Sequence, residues 1–233
     1  MFRLQSLGTE YRALIIGNSG ALGKAFCEHL RNDPGCAGVT ELGRSTTPAV
    51  DLEDPTSIAA AAQSLAHQAP YQLIVLTSGL LHRQGVQPEK SLAAIEPEAL
   101  QAVFQVNALG PALVLRDFLP LLDRKGAMAV LSARVGSIGD NRLGGWYAYR
   151  ASKAALNMLV KTAAIELARQ SPHARLLSLH PGTVQSALSL PFRGAAAARP
   201  ASQAAMELLS VIDRSLPADS GGFFSYNGER IEW

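Results

Sequence analysis

Cysteine is scarce in this chain of 233 residues: Cys27 and Cys36 share no metal-type spacing and cannot build a framework of bridges. Free thiols in a reducing, cytoplasmic setting are therefore expected. Charge of one sign is scarce too. The formal net charge is +2 and the basic residues are scattered, which argues against a nucleic-acid surface. No run of about 18 or more apolar residues occurs, so no membrane span is expected. The opening MFRLQSLGTEYR lacks the apolar core of a secretory signal. Repeats are absent, and Ala59–Ala62 and Ala195–Ala198 are too short to be low-complexity domains. No serine sits in a G-x-S-x-G elbow, which disfavours a hydrolase. A P-loop also fails, because the glycine spacing is wrong and Lys24 is followed by Ala25 rather than a hydroxyl residue.

A hydrophobic content of 48% is enough for a substantial core, and residues 1–233 read as one domain. Ala13-Leu14-Ile15-Ile16 is a continuous apolar run, as in a strand buried on both faces. Gly17-Asn18-Ser19-Gly20-Ala21-Leu22-Gly23 follows at once, then a helix to about Asn32. In that context the glycines let the backbone approach a pyrophosphate at the helix amino terminus; the plain alternative is a tight turn.

Val39–Leu42 reads as the second strand, ending at Gly43-Arg44-Ser45-Thr46-Thr47. A dinucleotide fold meets the adenosine ribose at this point. An arginine with hydroxyls beside it and no acid favours NADP over NAD, although a solvated turn arginine gives the same letters. Val50-Asp51-Leu52 follows too soon for a parallel crossover and reads as no ordinary sheet strand, but as a short edge segment beneath the adenine.

Pro55–His67 is expected to be a helix capped by Asp54. Leu73–Leu76 is a further strand, opening into Thr77-Ser78-Gly79 and a long loop from Leu80 to about Ile95, in which His82 reads as solvated. Residues 98–122 are helical in pattern, with Asn107 inside as a kink or a functional polar group. Ala127–Leu131 and Arg175–His180 read as strands, Ser202–Arg214 as a helix and Phe223–Tyr226 as a last strand. Residues 187–199 form a candidate lid, with Leu190 and Phe192 at an apolar entrance and Arg193 as an ambiguous anchor. Alternating β and α elements predict a Rossmann-like, doubly wound parallel sheet of six to seven strands, with helices on both faces and the site at the strand carboxyl ends.

The stretch from Trp146 to about Gln170 is a helix by its apolar spacing, with Leu156, Leu159, Val160, Ala163, Ala164 and Leu167 on the sheet side. Tyr149 and Lys153 are then one turn apart. A neighbouring ammonium favours a phenolate, so the pair is a plausible acid/base device; a half-buried tyrosine above a solvated lysine is the bland alternative. Ala155, Met158 and Ile165 form a second apolar group on this helix, which suggests a homodimer or burial under a neighbouring helix.

Taken jointly and at these spacings, the motifs from about residue 12 onward resemble the short-chain dehydrogenase/reductase family. The strings Arg134-Val135-Gly136-Ser137-Ile138, Gly144-Gly145-Trp146-Tyr147 and Gly221-Gly222-Phe223-Phe224 resemble its C-factor-like branch, which includes small carbonyl reductases. The resemblance implies that Gly17, Asn18, Ser19, Gly20, Leu22 and Gly23 cradle the phosphates, and that Asp51 and Leu52 meet the adenine. It places Ser78 and Gly79 where the family has Asn-Asn-Ala-Gly, and Pro181, Gly182, Thr183 and Val184 (with Ser186) at the nicotinamide. Tyr149 would supply the proton, Lys153 the ribose contact and Asn107 a water relay.

Three departures accompany the match. Gly20 is shifted by one from the commonest pattern, and the GxxGxxG form is commoner among epimerases, whose larger carboxyl-terminal domain this length disfavours. The family usually ends the strand before this helix with two serines, the second catalytic, whereas this chain has Ser132-Ala133. Ser132 could reach the carbonyl through a local bulge, Ser137 could swing in past Gly136, or no serine takes part. The implied function is hydride transfer between NADP, or NAD, and a small carbonyl or alcohol substrate. The alternatives are a cofactor-binding signalling protein with little turnover and a nucleotide-sugar epimerase.

Overall fold

The computed structural model describes residues 3–192 and 198–233; Arg193 and Ala195–Ala197 lie outside the described residues. Six parallel strands form one sheet: β1 (Tyr11–Ile16), β2 (Cys36–Leu42), β3 (Tyr71–Leu76), β4 (Leu122–Leu131), β5 (Arg175–His180) and β6 (Phe223–Ser225). Their order is β2-β1-β3-β4-β5-β6. The chain runs outward from β1 to β2 and then crosses back to β3 on the other side of β1. The carboxyl ends of β1 and β3 therefore flank the switch point, where a parallel sheet leaves a crevice for a ligand.

Helices cover both faces, because strands apolar on both sides must bury both. On one face α1 (Ala21–Arg31) and α6 (Ala201–Arg214) pack Phe26, Leu30, Leu208 and Ile212 against Ile15, Val75 and Leu179. On the other, α2 (Pro55–Leu65), α4 (Gly110–Phe118) and α5 (Tyr147–Gln170) enclose Ile58, Val114, Leu156 and Val160 with Ile74, Met128 and Leu176. Asp54 caps α2 as expected, its carboxylate accepting from the Thr56 N–H at 2.9 Å. Val50-Asp51-Leu52 forms no strand.

The long helix read from the sequence is broken into α3 (Pro97–Phe104), a π-helical turn over Gln105–Leu109, and α4. Asn107 sits in that turn and is fully buried. The whole stretch Pro97–Leu121 is long and apolar enough by composition to cross a membrane, but Val103, Val114, Leu115 and Phe118 along it are buried as in a core helix.

Candidate active site

A cavity of about 770 Å3 opens over the strand carboxyl ends and is walled by the turns after β1, β2, β3, β4 and β5. Its floor at the switch point is the glycine turn. Gly17 has φ +97°, and a Cβ there would stand 2.5 Å from the Ser78 hydroxyl, so only glycine fits. At Gly23 a Cβ would collide with the Gly17 carbonyl, so α1 meets the turn backbone to backbone. Gly20 is the N-cap of α1 and no side chain caps it, which leaves first-turn N–H groups directed at the cavity wall formed by Ser19, Gly20, Ala21 and Leu22. The turn is lashed to its neighbours: the Gly17 N–H donates to Leu42 at 2.8 Å, and Thr77 Oγ1 donates to Gly17 at 2.9 Å. Such a cradle suits a pyrophosphate.

Arg44, Asp51, Leu52, Ser78 and Gly79 line the same cavity. Asn18, expected at the cofactor, does not: its amide turns to Glu41, donating at 3.0 Å, and holds the turn to β2. Sequence reasoning missed the pair that closes this end. Arg83 donates to both Glu53 oxygens, at 2.8 and 3.0 Å, and holds Glu53 below the usual carboxylate range. No local signal links residues 30 positions apart.

Tyr149 and Lys153 both face the cavity and are buried. Lys153 Nζ lies 5.9 Å from the Tyr149 ring centroid and donates to the Leu131 carbonyl at 2.9 Å. The expected lowering of the Tyr149 pKa is not found in the protein's own environment. Burial pushes the phenol up to about 12 and the Lys153 ammonium down to about 8, because each charged form loses its water. Asn107 stands behind the wall. Its Oδ1 accepts from the Leu80 N–H at 2.7 Å, while Nδ2 donates to the Leu80 carbonyl at 2.7 Å and to Ser152 Oγ at 3.1 Å. The side chain thus clamps the loop after β3 to α5.

Ser132 lies against the cavity, buried, with no hydrogen-bond partner for its hydroxyl among the described residues. The bulge considered for it is not there: Leu131 pairs with Leu179, and the Ser132 N–H continues the ladder to Leu179 at 2.8 Å. Leaving the strand at its carboxyl end is enough to bring Ser132 and Ala133 to the cavity together. Ser137 is off the wall, and its hydroxyl accepts from the Asp140 N–H at 3.1 Å.

Pro181, Gly182, Thr183 and Val184 line the far side. The loop beyond them is closed at its base by Arg199 N–H donating to Thr183 at 2.9 Å and Gln185 N–H donating to Arg199 at 2.9 Å. His180, missed in the sequence, also lines the cavity, and burial lowers its pKa to about 4. His82 is half-buried rather than solvated, with Nε2 at 3.2 Å from the Ala187 carbonyl.

The amino terminus of α5 is held from outside. Trp146 is its N-cap, with φ 53° and ψ 46°, a left-handed conformation that costs a bulky residue roughly 1–3 kcal/mol. Buried Glu89 stabilises it: the Glu89 carbonyl accepts from the Trp146 N–H at 2.6 Å, and its carboxylate accepts from the Ala148 N–H at 3.2 Å. A carboxylate at a helix amino terminus also complements the dipole.

A nucleotide cradle at the switch point, continuous with a buried tyrosine–lysine pair, defines the class: a dinucleotide-dependent dehydrogenase or reductase. Comparison with known proteins narrows it. A family model described as enoyl-(acyl carrier protein) reductase matches residues 31–214. The 1-hydroxy-2-glutathionyl-2-methyl-3-butene dehydrogenase of Rhodococcus sp. (strain AD45) is 30% identical over 197 residues, 84% of each chain. The C-signal protein of Myxococcus xanthus is 40% identical over 146 residues, 61% of this chain and 84% of that one. Among solved structures, the carbonyl reductase Sniffer of D. melanogaster superposes with a TM-score of 0.82 at 21% identity, over 97% of this chain and 100% of that one. The NADPH-bound carbonyl reductase from chicken fatty liver gives 0.82 at 22% identity, over 97% and 100%. These two likenesses concern the fold. The chain belongs to the short-chain dehydrogenase/reductase family.

Proposed function

We propose that the protein is an NADP-dependent carbonyl reductase acting on a small, partly apolar carbonyl compound. The observation that carries this reading is the meeting, in one cavity, of the glycine cradle, the Tyr149–Lys153 pair and the unpartnered Ser132 hydroxyl. NADP rather than NAD is favoured by Arg44 at the ribose end of the cradle. NADPH, when bound, supplies the hydride. Tyr149 holds its proton at neutral pH and delivers it to the carbonyl oxygen as negative charge develops there. Ser132 donates a hydrogen bond to the same oxygen. Lys153 supplies a positive charge behind Tyr149 and ties it to β4 through Leu131.

A binder with little turnover is not favoured, since the acid/base pair and a donor hydroxyl are in place. Both cysteines are free, in keeping with a cytoplasmic setting. On α5 Met158 is 67% and Ile165 50% exposed, and a homodimer through this face would cover them. A monomeric mass by light scattering at micromolar concentration would reject the dimer. The function is tested by NADPH oxidation in the presence of a panel of aldehydes and ketones, with turnover expected and no turnover on any of them counting against it.

A further inference from the structure

The wall above Tyr149 is a row of rings. Trp146 stands edge-on to Tyr149 with centroids 6.1 Å apart, Phe192 lies 5.2 Å from Trp146 at 58°, and His82 lies 5.5 Å from Phe192. These separations and tilts are those at which aromatic rings attract one another. All four line the cavity. Ala133 and Val135 line the same cavity and offer no donor in their side chains. Trp146 holds a left-handed backbone, and buried Glu89, 57 positions earlier, binds the start of the helix through two acceptors: its carbonyl takes the Trp146 N–H and its carboxylate the Ala148 N–H. A strained residue held by a dedicated partner beside the proton donor is a sign of a functional constraint.

We propose that Trp146, with Phe192, is the recognition surface for a flat aromatic ring carried next to the substrate carbonyl, and that Glu89 is the positioning residue for it. The proposal rests on the carbonyl reductase reading. A ring-bearing carbonyl extends the row that begins at Tyr149, placing its oxygen near the phenol while its substituent packs on the indole. An aliphatic carbonyl of equal reactivity finds the same proton donor but leaves this surface uncovered. Pocket contacts of this kind discriminate by roughly 10–200-fold.

Two measurements test it. Wild-type enzyme is assayed with 1-phenyl-1,2-propanedione and with 2,3-butanedione, both activated diketones, at saturating NADPH. The kcat/KM ratio should favour the phenyl compound by at least tenfold. Trp146→Ala should lower that ratio at least tenfold, Glu89→Ala, which removes the acceptor for the Ala148 N–H, should lower it in the same direction, and Trp146→Phe should keep most of it. If Trp146→Ala does not fold, Phe192→Ala should lower the ratio instead. An unchanged ratio in the folded truncation variant overturns the proposal.

The second measurement does not depend on turnover. The chain has two tryptophans, so Trp233→Phe leaves Trp146 as the single emitter. In the presence of NADPH, with which an alcohol cannot react, 1-phenylethanol should change its fluorescence saturably and 2-butanol at equal concentration should not. Equal responses overturn ring recognition. Absence of reduction of any carbonyl, together with a phenyl-specific response, would instead sink the reductase reading and keep this one.

Discussion

Lys153 donates a hydrogen bond of 2.9 Å to the carbonyl oxygen of Leu131, the residue immediately before Ser132. One bond thereby ties the helix carrying the acid/base pair to the strand end carrying the unpartnered hydroxyl. It also shows why Lys153 stays in place while buried. A desolvated ammonium is costly, and a carbonyl acceptor offsets part of that cost.

The cost should appear in the pH dependence of stability. Burial holds Lys153 at about 8, below the ordinary 10.5, so between those values the unfolded chain binds the proton and the folded one does not. Below pH 8 the penalty is complete, on the order of 3 kcal/mol. Stability without added cofactor should therefore rise from pH 8 towards 10 in wild type relative to Lys153→Met. Urea unfolding at both pH values checks this; parallel curves for the two proteins would refute it.

Ser132 and Ser137 differ in exposure to the cavity and in whether the hydroxyl is already bonded. Ser132→Ala should lower turnover by about a hundredfold or more, the usual loss of one oxyanion donor. Ser137→Ala should change it by less than threefold, roughly the effect of losing one weak hydrogen bond remote from the reaction. Steady-state kinetics on the two variants side by side decide the matter, and a reversed order would move the role to Ser137.

Arg44 lines the cavity beyond Gly43 and is exposed at its rim. A charge-assisted bond to a 2′-phosphate contributes roughly 1.5–3 kcal/mol. Arg44→Ala should weaken NADPH binding at least tenfold and NADH binding little, by fluorescence titration. Equal losses for both would make Arg44 a structural residue.

Much of this was legible in the chain. Runs such as Leu73–Leu76 announce a buried strand because both faces are apolar, and the glycines announce the turn because a Cβ at Gly17 or Gly23 has no room. The sequence places the start of β4 at Ala127, yet the strand starts at Leu122: Asp123, Arg124 and Lys125 carry no apolar signal, and β3 pairs with Leu122 and again only from Ala127, with a register shift between. Asn107 reads from the sequence as a kink or a functional polar group; the π-helical form of the turn and the two bonds to Leu80 carry no local signal, since Leu80 lies 27 positions earlier. Glu89, Glu53 and Arg83 carry no sequence signal because their partners lie far along the chain, and neither does the bond from the Asn18 amide to Glu41.

The account stands or falls on Tyr149 as the proton donor. The decisive measurement is NADPH-dependent reduction of a carbonyl turned over by wild type, made in parallel on Tyr149→Phe with the NADPH dissociation constant of each protein. The phenol hydroxyl is removed and the ring that packs against Trp146 is kept. Turnover should fall by about 10²–10⁴-fold, the usual contribution of a positioned acid, while NADPH affinity changes less than threefold. Full activity in Tyr149→Phe would contradict the mechanism.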